Sequence, residues 1–482
     1  MRTLPSIQPW VALLVAGLCA HACRSQVTRH FFRWPLSNGV ELNFNSQPNC
    51  TAEVVPFLFI SHHVAGSDGT TGDLAFIAEL ELYDRDRTVL PDASPPCGLI
   101  CGALPHPGND SLWYLFGIAG DDTLIYSVFN RQLRNGAGDL TDVRNVPICT
   151  FPGSVKVTAL SSDNGAEYRL VIHVNNTAEL VELVVTADGG LNVERVVVPL
   201  DRTIIWQDLL STSMDIAVSS QNDKIALSGQ FGGTPDNRVY VIDIDPNTGL
   251  AGSGIEIPMN GFNVVGSRMA FSPNGRFLYV PVGVCDENGC GSIKMYDLSL
   301  PTEELIAASE TTFTQPYNSA NTGHFELALG PDGIIYGTSG YSTHYLQHIA
   351  RFLQPDCPGG DCGWDPEGLE MPVEAISSFA LPWTFNPRVL TTGIADQGTI
   401  GSQLMISPNP TADLVTLGWP MNMEPPLALM ILDASGRVVH HLDRLERTGS
   451  LTLNVSDLAE GHYTACLRTG NGLLRRPLVI AR

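Results

Sequence analysis

The sequence predicts an all-β chain, a β-propeller of seven blades with six as the near alternative, followed by a small immunoglobulin-like β-sandwich. A recurring hairpin carries the prediction first. Met269-Ala270-Phe271 and Phe277-Leu278-Tyr279-Val280 flank Ser272-Pro273-Asn274-Gly275, a turn in which proline pre-sets φ and Asn-Gly accepts positive φ. The same device returns in residues 326–336 around Pro331-Asp332-Gly333. Spacing is the second observation: groups of four strands follow one another at roughly 45 to 50 residues, the interval of propeller blades. Composition is the third. Hydrophobic residues make up 44% of the chain and charged residues 16%, with 46 Gly and 33 Pro; that excludes a disordered chain and fits many short strands joined by turns.

The chain of 482 residues is long enough for more than one domain. Arg2 precedes the apolar run 10–18, which is short for a bilayer span and suits a signal-peptide core. The leader is expected to occupy residues 1–25. It is cut either after Ala20-His21-Ala22 or just before Gln26, with a lipoprotein at Cys23 as the alternative. Gly39 to Phe44 alternates like a strand left to pair late with another part of the chain. Six units then follow, in residues 74–89, 112–146, 155–200, 214–257, 268–297 and 326–353. Leftover strands at both ends are expected to complete a seventh and close the ring. The propeller is placed at 26–387 and a connector at 388–402. About seven short strands in residues 403–482 have the density of a sandwich domain.

Eleven cysteines include Cys19 and Cys23 in the leader. Six others fall in close pairs, Cys97 with Cys101, Cys285 with Cys290, and Cys357 with Cys362, a spacing that suits local disulfides in an oxidising compartment. The spacing does not suit zinc, which wants CxxC pairs or histidines in register. Cys50 and Cys149 are candidates for a longer bridge, and Cys466 has no obvious partner. The formal charge of −23 lies upstream of Gly401, because the tail beyond it balances seven arginines against seven acids. An acidic body argues against nucleic acid or anionic lipid as a partner, since phosphate contacts need clustered Lys and Arg.

Ser407-Pro408-Asn409-Pro410 opens the last domain, Asp433-x-x-Gly436-Arg437 lies in its middle, and Leu458-x-x-Gly461-x-Tyr463 precedes a terminal strand. In order and spacing this domain resembles the C-terminal type A sorting domain of the type IX secretion system of Bacteroidetes. The resemblance implies an export address read by an outer-membrane machine and usually cut off, leaving the cargo on the cell surface or released. Arg475, Arg476 and Arg482 stand where lysines are common. The body resembles Bacteroidetes surface propellers with such tails, through the Leu82-Tyr83-Asp84-Arg85 run before Pro91, Gly136-x-Gly138-Asp139-Leu140, the two hairpins and Leu381-Pro382. That resemblance implies a fold and a surface setting but no activity.

Motifs with chemical content are sparse. Ser161-x-Asp163-x-Gly165-x-x-Tyr168 is one copy of an Asp-box-like hairpin, a turn device. Asp243-x-Asp245-x-Asn247-x-Gly249 alternates oxygen ligands as a calcium loop does, yet lacks the closing glutamate. Asp286-Glu287-Asn288 is the better cation or partner loop, with solvated acids as its plain reading. No metal ligand set and no cofactor is expected; calcium is the one cation with any support. His62, His63, Ser67 and Asp68, and His344 with His348, stand outside any hydrolase motif. Trp113, Trp206, Trp364 and Trp383 suit either a sugar-binding rim or packing between blades. The expected function is an exported, non-enzymatic propeller that binds a protein or glycan. The alternative is a lactonase-like or glycan-cleaving propeller enzyme, because residues 239–249 and 271–280 are similar to sugar-lactone hydrolase blades; no catalytic residues can be named for it.

Overall fold

The computed structural model describes residues 29–481 except 37–38, 46–49, 56–62, 79–80, 91–98, 121, 162–166, 187–190, 206–215, 232–236, 245–250, 259–267, 287–288, 315–323, 341–344, 361, 377–380, 383–404, 408–410, 420–427, 433–437, 444–449 and 470–471. The chain forms two compact units, Gln26–Leu390 and Thr391–Arg482. In the first, six antiparallel sheets are described in chain order, one of them eight-stranded and made of two blades, so that seven blades follow one another. Blade 1 is Arg33–Leu36, Val40–Asn43 and Thr51–Val54. Blade 2 is Val64–Ser67, Leu74–Ala78 and Leu82–Asp84. Blade 3 runs from Leu99–His106 through Asn109–Ile118 to Thr123–Asn130, whose far edge takes both Asp139–Leu140 and Val146–Thr150.

Blade 4 is Val155–Ser161, Glu167–Val174, Thr177–Thr186 and Leu191–Ile205. Blade 5 is Ile216–Val218, Lys224–Phe231, Asn237–Ile244 and Ala251–Pro258. These two are joined edge to edge where Ile204 and Ile205 pair with Phe231 and Gln230. Blade 6 is Ala270–Phe271, Phe277–Asp286, Gly289–Asp297 and Thr311–Thr314. Blade 7 is His324–Leu329, Ile335–Gly340, Tyr345–Phe352 and Trp364–Ile376.

A blade is covered by a neighbour on each face, so its strands read as apolar runs whose alternate residues enter different cores. In the second strand of blade 6, Leu278, Val280 and Val282 join Ala226, Val239 and Val241 of blade 5. Between them, Phe277 and Tyr279 point the other way and join Leu327, Ile335 and Phe352 of blade 7. Likewise Leu160, Val171 and Leu180 of blade 4 share a core with Ile225, Leu227 and Tyr240 of blade 5.

The predicted hairpins are present. At Ser272 the N–H donates to Phe277 O at 2.8 Å, and Gly275 closes the turn at φ 70°. At Gly330 the N–H donates to Ile334 O at 2.8 Å, with Gly333 at φ 79°. A third copy, not anticipated, spans Ser219 to Lys224. There Asn222 takes φ 54°, and Ser219 Oγ accepts from the N–H groups of Asp223 and Lys224; Asn tolerates the left-handed position that Gly holds elsewhere.

One expectation needs correction. The first strands were expected to pair with the chain's end. Among the described residues, Val40–Asn43 pairs only with its local neighbours, Arg33–Leu36 and Thr51–Val54, and blade 7 is built from its own four strands. The first and last blades meet through side chains instead: Trp34, Leu36, Val40, Leu42 and Phe44 share a core with Ala328, Tyr336 and Ile349.

The second unit is a two-sheet sandwich. One sheet is Met405–Ser407, Leu414–Gly418 and Ser450–Asn454, and the other is Val438–Asp443, Ala428–Leu432, Gly461–Thr469 and Gly472–Ile480. Between them lie Val415, Leu417, Leu429, Ile431, Leu453, Leu467 and Leu478.

Candidate functional site

The inner strands carry charge, and its partners are internal. Glu326 sits on the inner strand of blade 7 and is buried. Its Oε2 accepts the Leu381 N–H at 2.8 Å, while Arg268 Nη1 donates to the carbonyls of Leu381 and Pro382 at 3.0 and 2.9 Å. Arg268 and Glu326 are bridge partners across blades 6 and 7. Close by, the Tyr336 hydroxyl donates to Asp332 Oδ2 at 2.7 Å. Burial holds the Asp332 carboxyl above the usual range, the Tyr336 hydrogen bond acting against it. Burial also pushes the Cys50 thiol up to about 12, with the Asp332 carboxylate adding to the effect.

A second group of charges joins blades 1, 2 and 3. Glu41 is buried between Arg33 of its own blade at 3.0 Å and Arg87 of blade 2 at 2.7 Å. Asp68 accepts from the N–H groups of Thr70 and Thr71 and pairs with Arg131 of blade 3. Burial raises the Asp68 carboxyl, but those N–H groups and the guanidinium outweigh it, leaving it below the usual range. His30 stands edge-on to Trp113 at 5.2 Å, and a Cβ at Gly69 would fall 2.4 Å from its Nε2. Burial pushes His30 down to about 4; Asp110 and Asp68 act against this, and Arg131 acts with it.

Several residues named from sequence are placed in scaffold roles. Ser67 Oγ accepts the Arg33 N–H at 3.0 Å, and His63 Nε2 meets Pro35 O at 2.8 Å. Ser161 Oγ accepts from Asn222 Nδ2 at 3.1 Å, tying blade 4 to the Asn222 turn of blade 5. Asp243 is engaged by Lys224 Nζ at 2.9 Å. Trp113 is fully buried and Trp364 stacks on Phe352 at 4.4 Å, so both pack within the ring. His62, Asp163, Gly165, Trp206, Asp245, Asn247, Gly249, Glu287, Asn288, His344 and Trp383 lie outside the described residues. No three His, Cys, Asp or Glu side chains converge as a cation site among the described residues.

The cysteines divide. Cys357 and Cys362 form a disulfide, and the two residues just before it are docked on blade 6. The Asp356 carboxylate accepts the Asn274 N–H at 3.0 Å, and the Tyr279 hydroxyl donates to Pro355 O at 3.0 Å. Cys285 and Cys290 are placed opposite each other in strand register, and Cys97 of the remaining pair lies outside the described residues. A bridge from Cys50 to Cys149 is not formed: Cys50 is a buried thiol facing the Thr51 carbonyl at 3.8 Å. Blade 1 uses it as a small apolar side chain in the core shared with blade 7.

In the sandwich, Pro408, Asn409, Pro410, Asp433, Gly436 and Arg437 lie outside the described residues. The remaining motif has a physical reason. Gly461 takes φ 155°, open to glycine, and the Tyr463 hydroxyl turns back to donate to Ala459 O at 2.8 Å, the tie that fixes the corner between sheets in sandwich domains. Thr411 pairs with the last strand, donating to Val479 O at 3.0 Å and accepting from the Ala481 N–H at 2.9 Å, so the domain's first and last segments are bonded to each other.

Residues 405–481 match the family model described as the secretion system C-terminal sorting domain. No curated protein matches the chain. Among solved structures, the chain is similar to a putative 6-phosphogluconolactonase from Bacteroides uniformis, with 12% identity over 72% of this chain and 98% of that one at a TM-score of 0.43. It is also similar to a protein from Lactobacillus plantarum, with 13% identity over 81% and 98% at a TM-score of 0.37. At these scores the likenesses carry no argument about activity. Among the described residues no helix is long and apolar enough to cross a membrane. From the seven successive blades and the matched tail together, the chain is an exported β-propeller protein that carries a type IX secretion system C-terminal sorting domain in residues 405–481.

Proposed function

We propose that this protein is a cell-surface or secreted binding module without catalytic activity, in which the propeller of residues 26–387 presents its loops to a protein or glycan. A leader in residues 1–25 takes the chain across the inner membrane, and the domain of residues 403–482 is then read by the type IX machinery. One observation supports the binding role: three buried carboxylates of the described blades are tied to scaffold partners. Glu41 lies between two arginines, Glu256 pairs with Arg238, and Glu326 holds the Leu381 N–H. A carboxylate fixed this way holds sheets together, whereas acid–base work needs one free to exchange a proton with a substrate.

The test exposes the purified mature protein to a glycan array and, in parallel, to hexonolactones and nitrophenyl glycosides. Saturable binding to one glycan class without turnover is the expected result. Turnover of a lactone or glycoside that co-purifies with the protein through two columns would overturn the reading. Export is tested separately by comparing the surface fractions of the full chain and of a version stopped at Gly401. Only the full chain is expected to leave the periplasm.

A further inference from the structure

We propose that Leu381 and Pro382 form a strap that closes the propeller ring, and that Arg268 and Glu326 are its built receiving site. A ring of repeated sheets needs a joint where the last meets the first. Here no strand crosses that joint among the described residues. Leu381 is 1% exposed and lies in the same core as Trp34, Leu36 and Val40 of blade 1 and Ala328, Tyr336 and Ile349 of blade 7. Its apolar side chain therefore belongs to both sides of the seam.

The main chain of the strap is held as closely. Glu326 Oε2 takes the Leu381 N–H at 2.8 Å, and one Arg268 nitrogen, Nη1, takes two successive carbonyls at 3.0 and 2.9 Å. Pro382 has no N–H that would need a further acceptor. Arg268 is itself fixed, because its carbonyl accepts the Leu327 N–H at 3.1 Å. The receiving site thus spans blades 6 and 7, and the strap carries their hold across to blade 1. Charged partners on a short stretch of backbone give strong, directional bonds. The occupant is this chain's own segment following blade 7, and the contacts ask for an extended backbone with an apolar residue at the first position.

Cys50 reports on the seam. It is 7% exposed and sits in the core that Leu381 enters. In the full chain, alkylation of Cys50 by iodoacetamide is followed by peptide mass spectrometry, alongside amide exchange in the blade 5 strands Lys224–Phe231 and Asn237–Ile244. Arg268→Ala and Leu381→Asp are each expected to raise Cys50 alkylation at least tenfold while blade 5 exchange stays unchanged. Glu326→Gln keeps an oxygen that can accept the Leu381 N–H, and it is expected to stay within twofold of the native rate. Unchanged Cys50 alkylation in Arg268→Ala would overturn the proposal. So would exchange that rises equally in blade 5, or failure of both Arg268→Ala and Leu381→Asp to fold, because either result describes a general core residue and not a local strap.

Discussion

His30 makes stability depend on pH in a window that can be calculated. It is 5% exposed, and neither ring nitrogen has a hydrogen-bond partner among the described residues. Its folded pKa of about 4 lies below the ordinary 6.5. The unfolded chain therefore binds one more proton than the folded chain between those values. The contribution is whole above pH 6.5 and is lost as pH falls through about 4. One proton is worth about 1.4 kcal/mol per pH unit, so the loss over the window is about 3 kcal/mol. His30→Asn removes the titration and fits the space between Trp113 and Gly69 without adding volume. It is expected to lower stability at pH 7.5 by about 1 kcal/mol through lost ring packing. Between pH 6.5 and 4.5 its stability should then fall less steeply than the native protein's, by one proton. Urea unfolding of the full chain at pH 4.5, 5.5, 6.5 and 7.5 measures both slopes. Parallel slopes would show that His30 is protonated equally in both states, and the argument from its burial would fail.

Glu182 should act with the opposite sign. Burial pushes its carboxyl from 4.5 up to about 7 although Arg169 opposes the shift, so its stabilising contribution is present below pH 4.5 and declines by up to about 3 kcal/mol as pH rises to 7. Glu182→Gln should gain on the native protein between pH 5 and 8 in the same unfolding series. Replacing both Cys357 and Cys362 by Ser opens a loop of sequence separation 5, which by chain entropy costs about 2 kcal/mol. Exchange at the Asn274 amide, held by Asp356 next to that loop, should rise with it. Gly330→Ala would place a Cβ 2.6 Å from Asp332 Oδ1 and 2.8 Å from the Tyr336 ring; an expected loss of about 1 to 3 kcal/mol is measured by thermal unfolding.

What could be read from sequence was local. The Ser272 and Gly330 hairpins announce themselves because Asn-Gly and Asp-Gly have few other uses between apolar runs. The Ser219 hairpin was missed because Gln221-Asn222-Asp223 has no glycine, though Ser219 and Asn222 at the spacing of Ser272 and Gly275 were a usable signal. The six later blades were legible by alternation. The first was not recognised as a blade of its own, since its three strands are only four residues each. Long-range partners were beyond sequence reasoning. Glu41 meets Arg87 across 46 positions, and Arg268 meets Leu381 across 113; neither pair differs in type from dozens that never touch. In the tail, the Leu458-x-x-Gly461-x-Tyr463 spacing was recognisable as a motif, but the Tyr463 hydroxyl bond to Ala459 that explains it required coordinates.

The edge-to-edge pairing of blades 4 and 5 gives the ring unequal stiffness. Where Ile204 and Ile205 bond to Phe231 and Gln230, main-chain hydrogen bonds resist both separation and twist. Between blades 7 and 1 no strand pairing does so among the described residues; the shared side-chain core and the Leu381–Pro382 strap join them instead. A load spread around such a ring does not deform it evenly. The fused pair is expected to resist separation more than joints held by side chains, the joint between blades 7 and 1 among them. A ligand that levers the blades apart, or a pull arriving along the chain from its C-terminal end, would therefore be felt first at the joint between blades 7 and 1, with the fused pair serving as the fulcrum.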